Sequence, residues 1–229
     1  MLTMPIPEHN ITVVQQRIHD ACTRYGRDPD SVKLLAVSKT RGIATIQRAY
    51  NAGLRLFGEN YVQEAEQKIH QLPEDIEWHF IGPAQSNKTR FIAASFNWIH
   101  SIDRIRIARR LNTQRPANLP AMQCLIQINI SDDPGKSGIA PQDLNALATD
   151  LLGMPRLVLR GLMAIPRAGQ SNQALENDFA NMAQLLRQLQ TLAPQADTLS
   201  MGMSADLELA IKHGSSLVRI GTDIFGARQ

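Results

Sequence analysis

Short apolar segments alternate along the chain with longer amphipathic segments. The first, residues 32–38, is a nearly continuous apolar run with the sequence VKLLAVS, which is typical of a strand covered on both faces in a parallel sheet. Similar runs recur throughout the chain. Together they predict eight strands, over residues 32–38, 54–57, 78–81, 98–101, 122–130, 157–162, 198–201 and 217–220.

A segment long enough for a helix separates each predicted strand from the next. The clearest is 173–192, where apolar side chains recur every three or four positions and mark one face. A further helix is predicted over 10–24, before the first strand. The seven connecting helices are predicted over residues 43–52, 61–71, 87–94, 104–112, 141–152, 173–192 and 205–213.

The strand count decides the fold class. Eight strand–helix repeats within about 200 residues favour a closed barrel over an open doubly wound sheet, which usually has fewer strands. No linker-like stretch interrupts the alternation. We therefore predict an α/β chain, a TIM-type (β/α)8 barrel preceded by an N-terminal helix, as one domain over residues 1–229.

Composition and charge narrow the function classes. The 229 residues are 43% hydrophobic and 20% charged, which is ordinary for a globular chain. The net charge is only +3 and no basic run occurs, so we expect no nucleic-acid partner. No segment has the length of a membrane span or the layout of a signal peptide, so the expected location is cytoplasmic and no membrane contact is expected. The two cysteines lack metal spacing, and no metal site is predicted.

Lys39 directly follows the first predicted strand. In barrels of this class, functional residues lie at the C-terminal ends of the strands. Apolar neighbours would partly desolvate the amine and lower the lysine pKa, which frees the amine to form a Schiff base with an aldehyde. The alternative is a rim lysine that extends into water.

Small, hydroxyl-bearing segments follow the seventh and eighth strands, at residues 202–204 and 221–223. Barrels frequently bind phosphate with the loops after these two strands. Gly221 would allow the backbone to approach an anion, and Thr222 adds a hydroxyl and an N–H group. Ser204 suits the same task and is also predicted as the N-cap of the helix over 205–213. Helix capping alone at Ser204, and a tight turn at Gly221, are the alternatives.

Arg219 lies within the last strand between apolar neighbours, and it needs an acceptor if it points inward. Closure of the barrel sets the eighth strand beside the first, which brings Arg219 near Lys39 and both loops. An amine, a fixed cation and an anion-binding loop would then share one mouth of the barrel. An aldehyde that carries a phosphate and a ring acceptor satisfies all three, and pyridoxal 5'-phosphate (PLP) is the expected cofactor.

Motifs along nearly the whole chain resemble the pyridoxal phosphate homeostasis protein family. They are LLAVSKT, FGENYVQEA, EWHFIGPAQSNK, IHSIDR, LIQINIS with KSGI, RGLMAIP, LSMGMSADLELAI and VRIGTDIFGAR. This family resembles the N-terminal barrel domain of alanine racemase and is implicated in vitamin B6 and amino-acid homeostasis without an established turnover.

The resemblance also implies roles for single residues. Lys39 would be the Schiff-base lysine and Arg219 would lie beside the pyridine nitrogen. Two further residues in motif segments at strand ends, Asn60 and His79, are expected to line the pocket. The residues implied around the phosphate are Ser204, Gly221 and Thr222.

These features predict a protein that holds and releases PLP, with no catalytic residue. Arginine at the pyridine nitrogen disfavours ring protonation, so the ring is a weaker electron sink. Racemisation would need a second acid–base group, for which Tyr61 is the only candidate tyrosine. The expected partners are PLP and PLP-dependent apo-enzymes, and the expected state is a monomer or a weak homodimer.

Three alternatives stay open. A PLP-dependent enzyme with weak amino-acid racemase activity would require saturable turnover. A phosphosugar-type barrel enzyme would use the phosphate loops without an aldehyde cofactor. Lys136, after the fifth strand, is a possible second amine for aldehyde capture, although a surface lysine is the simpler interpretation.

Overall fold

A closed barrel of eight parallel strands forms the centre of the computed structural model, which describes residues 7–227. Each strand pairs with the next along the chain, and the eighth pairs with the first, where Leu35 lies opposite Arg219. This confirms the predicted fold class. The strands are β1 (Lys33–Val37), β2 (Leu56–Glu59), β3 (Glu77–Phe80), β4 (Trp98–Ile102), β5 (Met122–Ile128), β6 (Leu157–Ala164), β7 (Thr198–Ser200) and β8 (Leu217–Ile220).

Helices surround the barrel and connect its strands. None of those within residues 7–227 combines the length and the apolar character that crossing a bilayer requires. The longest, α7, begins after Ser171, whose hydroxyl caps it by accepting the Ala174 N–H. The helices are α1 (Pro7–Arg24), α2 (Ile43–Asn51), α3 (Val62–Ile69), α4 (Thr89–Ser95), α5 (Ile105–Gln114), α6 (Leu144–Leu152), α7 (Asn172–Leu192), α8 (Leu207–Lys212) and α9 (Thr222–Phe225).

One expectation about a helix start needs correction, and one short helix was not expected. Ser204 is not the N-cap of the helix after β7, because α8 begins at Leu207 and its N-cap position is Asp206. The Asp206 carboxylate accepts the Met203 N–H at 2.5 Å, while the Asp206 N–H donates to the Met203 carbonyl, and these bonds close a separate turn before the helix. The four-residue helix α9 was not predicted, since one turn leaves no periodic pattern.

The main hydrophobic core lies between the strands and the surrounding helices. Phe80 of β3 and Phe96 at the end of α4 illustrate it, with ring centroids 5.3 Å apart in an edge-to-face arrangement. A smaller apolar cluster of Trp98, Leu125 and Met163 forms separately from this core. The barrel therefore keeps room for polar side chains on its inner face, and these carry the site described next.

Candidate functional site

A pocket of about 300 Å³ opens at the C-terminal ends of the strands. Its volume lies at the lower end of the range for small-molecule sites. Apolar side chains, among them Val37, Ile81 and Ile165, line part of the wall. Six of the seven predicted site residues lie in this pocket, namely Lys39, Asn60, Ser204, Arg219, Gly221 and Thr222.

Lys39 is half-buried in the turn that follows β1. The next residue, Thr40, has φ of 62°, in the left-handed region that β-branched residues rarely adopt. The Thr40 N–H donates to Glu64 Oε2 at 2.7 Å, which holds this turn against α3. Strained backbone of this kind persists where its surroundings fix it, and it is common at functional sites.

A buried ionic network supports the same turn and was missed by sequence reasoning. Lys68 on α3 donates to Glu59 Oε1 at 2.9 Å, to Glu64 Oε2 at 3.2 Å and to the Ser38 carbonyl at 3.1 Å. The Ser38 hydroxyl donates to Glu59 Oε1 at 2.6 Å. Burial raises the pKa of Glu59, although Lys68 and Ser38 oppose the shift. The network fixes the backbone on both sides of Ser38, and with it the position of Lys39.

Arg219 points into the barrel and finds neutral acceptors there. Its Nη1 donates to the carbonyl and hydroxyl oxygens of Ser200, both at 2.7 Å, and its Nη2 donates to the Ala164 carbonyl at 2.9 Å. Burial lowers its pKa to about 10, while the Asp206 carboxylate acts in the opposite direction. The guanidinium therefore keeps its charge at neutral pH. Two of its five N–H groups are left for a ligand.

Narrow backbone approaches shape the loop end of the pocket. Gly202 has φ of 94°, and a Cβ there would lie 2.6 Å from Ala210 Cβ. A Cβ on Gly221 would lie 3.3 Å from the Val37 carbonyl oxygen, tighter than ordinary contact. The Ser204 hydroxyl accepts the Asp223 N–H at 3.4 Å, which joins the two loops. Glycine backbone and two hydroxyls thus face the same side of the pocket.

Asn60 contributes an unsatisfied polar atom. It follows β2, and its Oδ1 is buried without a hydrogen-bond partner among the described residues. Buried acceptors are nearly always satisfied by protein, water or ligand. Because Asn60 lines the pocket, a donor group on a ligand or a bound water can complete it.

His79 does not share this pocket, and its expected place at a strand end needs correction. It lies inside β3 and is fully buried, while Ile81, two residues further along the same face, reaches the pocket. Alternate residues of a strand share one face, so His79 and Ile81 both point into the barrel. His79 lies two residues closer to the N-terminal end of the strand and therefore below the pocket. His79 instead lines a cavity of about 500 Å³ at the opposite mouth.

Arg17 of α1 is a second residue that sequence reasoning missed. It pairs with Glu208 at 2.8 Å and with Asp223 at 2.5 Å, and it donates to the Ser204 carbonyl at 3.1 Å. These three partners belong to the segments that follow β7 and β8. The sequence shows only that Arg17 lies on the polar side of a helix, since its partners are remote in the chain. The first helix therefore braces both loops of the pocket.

Comparison with known proteins identifies close relatives. The family model described as alanine racemase, N-terminal domain, matches residues 8–229. The chain is 52% identical over 226 residues to the pyridoxal phosphate homeostasis protein of Haemophilus influenzae, covering 96% of this chain and 95% of the relative. It is 54% identical over 225 residues to the protein of the same name from Escherichia coli, with 96% of each covered.

A solved structure matches both the fold and the sequence. PipY of Synechococcus elongatus, determined with PLP bound, superposes with a TM-score of 0.80 at 37% sequence identity. The match covers 91% of this chain and 100% of the PipY chain. The barrel described above is thus similar over its length to a protein whose structure contains this ligand.

Proposed function

Because the chain belongs to the alanine racemase N-terminal domain family, and within it to the pyridoxal phosphate homeostasis proteins, we propose that it binds PLP and serves PLP homeostasis. The observation that carries the proposal is the single pocket that contains the Lys39 amine, the Arg219 guanidinium and the two small loops. PLP has one chemical group for each of them. The proposed unit is a PLP-binding barrel domain over residues 1–229.

The pocket suits PLP part by part. Lys39 would meet the aldehyde, and Arg219 would donate one of its remaining N–H groups to the pyridine nitrogen. Ser204 and Thr222 would donate their hydroxyls to the phosphate, which Gly221 lets approach the backbone. In this arrangement hydroxyl and backbone N–H groups hold the phosphate by hydrogen bonds, and no ion pair between the phosphate and a lysine is required. The buried Oδ1 of Asn60 supports a polar ligand at the same place.

The proposed bond to Lys39 is reversible. The neutral amine adds to the aldehyde carbon, a C=N bond forms, and the aldehyde oxygen leaves as water. Water reverses the reaction, so no oxidant or reductant is required. Bound PLP would supply an electron sink, which the Arg219 guanidinium weakens by opposing protonation of the ring nitrogen.

The surroundings of Lys39 favour a holding role over turnover. None of the three tyrosines of the chain lines the pocket. Tyr61, the candidate for a second acid–base group, is half exposed and lines a neighbouring pocket instead. We therefore propose that the protein buffers PLP and delivers it to PLP-dependent apo-enzymes.

The Lys39→Ala variant tests the proposal directly. Wild-type protein mixed with PLP is expected to show the visible absorbance band of a lysine–aldehyde adduct, and the variant is expected to lose it. Borohydride reduction followed by peptide mass mapping should then locate the adduct on Lys39.

Lys136→Ala is the matched control. Lys136 is also half-buried, but it does not line the pocket that contains Arg219 and the two loops, so this variant should keep the band. An adduct on Lys136, or no band in wild type, would contradict the assignment of Lys39. Saturable amino-acid turnover that depends on Lys39 would replace the holding role with racemase-type activity.

A further inference from the structure

A chain of polar side chains crosses the barrel interior from one mouth to the other. Arg219 Nη1 donates to Ser200 Oγ at 2.7 Å, and Ser200 Oγ lies 3.1 Å from His100 Nδ1. His100 Nε2 lies 2.9 Å from His79 Nδ1, and His79 Nε2 lies 3.2 Å from Glu77 Oε1. Arg219 lines the upper pocket, whereas His79 and Glu77 line the cavity at the lower mouth.

The two end groups of this series of side chains, Arg219 and Glu77, determine which group donates in each hydrogen bond between them. Arg219 can only donate, and ionised Glu77 can only accept. If the Ser200 hydroxyl donates to His100 Nδ1, the His100 proton lies on Nε2 and is donated to His79. The His79 proton then lies on Nε2 and faces Glu77. The reverse order would set the bare lone pair of His79 Nε2 against a carboxylate oxygen 3.2 Å away. The hydrogen bonds therefore all donate from Arg219 towards His79. The last step, to Glu77, is an electrostatic contact, because His79 Nε2 is buried without a hydrogen-bond partner among the described residues.

Both imidazoles are neutral in this arrangement. Two ring nitrogens 2.9 Å apart require one donor and one acceptor, so at most one of the two rings can be charged. Burial also lowers the pKa of His79 and of His100. Each neutral ring donates through one nitrogen and accepts through the other, which is what a continuous relay requires.

Simple filling of the barrel does not explain these residues. Barrel interiors of this class are filled mainly by branched apolar side chains, and buried polar groups carry a desolvation cost. The hydrogen-bond acceptors of Arg219 are all neutral, so its charge is compensated from further away, in part by the Asp206 carboxylate. Aligned hydrogen bonds whose last ring faces a carboxylate, here Glu77 at 3.2 Å from His79, contribute to such compensation. At the lower end, the His79 ring lowers the pKa of Glu77.

We propose that Ser200, His100 and His79 are positioning residues that orient Arg219 in the upper pocket and couple it to Glu77 at the lower mouth. The role in the cofactor site rests on the proposed function, because Arg219 is there the expected partner of the pyridine nitrogen. The relay itself exists in the protein without ligand. A change at Glu77 is thereby transmitted through the barrel to the environment of the bound ring.

The first test uses the protein without PLP. Nitrogen-15 NMR of the histidines in wild type is expected to show two neutral rings that both carry the proton on Nε2. Glu77→Gln should shift the ring signals of His79 and His100 and the Arg219 side-chain signal, which Arg219→Lys identifies. Glu77 is half-buried at the surface, so this variant is expected to fold. An unshifted Arg219 signal would overturn the coupling whether or not PLP binds.

The second test compares two buried serines of the barrel, Ser200 on β7 and Ser101 on β4. Ser200→Ala removes the link between Arg219 and His100, whereas Ser101→Ala removes an equally buried hydroxyl that donates to the Gly82 carbonyl outside the relay. With PLP, Ser200→Ala is expected to move the absorbance maximum and to raise the dissociation constant about tenfold relative to Ser101→Ala.

The outcomes separate the two proposals. If wild type binds PLP and the two serine variants have the same spectrum and affinity, the positioning role is wrong and the proposed function stands. If wild type binds no PLP, the proposed function fails, and the NMR signals of the ligand-free protein still decide whether Glu77 and Arg219 are coupled.

Discussion

Gly202 shows how closely the loop after β7 is determined by a single residue. Its backbone is left-handed, and the α8 side chain of Ala210 occupies the space that a Cβ would need. Its carbonyl accepts the Arg219 N–H at 2.9 Å, so the loop is joined directly to β8. A change at this residue therefore reaches both Met203–Ser204 and the strand that carries the guanidinium.

Gly202→Ala is expected to destabilise the protein more than a change in φ preference explains. The left-handed backbone costs an alanine about 1–2 kcal/mol, and the contact with Ala210 adds about 1–3 kcal/mol of overpacking. Gly53→Ala is the matched control, because Gly53 also has positive φ but nothing lies within 4 Å of its Cβ position. Urea unfolding should separate the two variants, and equal losses would contradict the close contact.

The buried imidazole of His100 predicts a loss of stability on the acid side of neutrality. Its pKa is lowered in the folded state by burial, so below the ordinary value of 6.5 the unfolded chain binds a proton that the folded chain does not. Stability then falls as the pH falls, by at most about 1.4 kcal/mol per pH unit for this group. His100→Gln should reduce this pH dependence of the free energy of unfolding, measured by urea unfolding at several pH values between about 7 and 5.5. An unchanged slope would contradict a neutral buried ring.

Helix α1 acts on the pocket without lining it. Arg17 contacts Glu208, Asp223 and the Ser204 carbonyl, so one side chain joins the first helix to the segments after β7 and β8. Asn10 adds a bond to the Ile224 carbonyl at 3.0 Å. The helix that precedes the barrel is thus a structural part of the loop end of the site.

Arg17→Ala is expected to weaken PLP binding about threefold and to lower the free energy of unfolding by about 1 kcal/mol, because its ion pairs are partly exposed and screened. Arg48→Ala breaks a comparable ion pair with Glu8 of the same helix, away from the pocket, and should leave the affinity unchanged. An absorbance titration with PLP measures both. Equal affinities in the two variants would show that α1 does not brace the loops.

The order of the strands in the barrel explains why this fold could be predicted from the amino-acid sequence. Each strand pairs with its sequence neighbour and is covered by helices, so its apolar run is short and continuous and its position follows from the pattern alone. The same pairing rule sets β8 beside β1, which is why Lys39 and Arg219 could be expected at one mouth before any geometry was known.

What the sequence concealed depends on contacts between distant residues. Lys68 has the spacing of a surface lysine, and only the packing of α3 on β2 buries it beside Glu59. Asp206 occupies the N-cap position of α8 where Ser204 was expected, and both residue types favour that position, so local preference could not choose between them. His79 lies two residues before Ile81, which lines the pocket, and strand ends predicted from sequence are commonly uncertain by about two residues.

The pairing of β8 with β1 also sets the moment during protein synthesis at which the pocket comes into being. Lys39 is translated before seven of the eight strands, whereas Arg219 belongs to the last strand and Gly221 follows it. A nascent chain that has not reached β8 carries the lysine without the guanidinium or the second loop. If PLP binds as proposed, the complete site is therefore expected to form only after the last strand has left the ribosome.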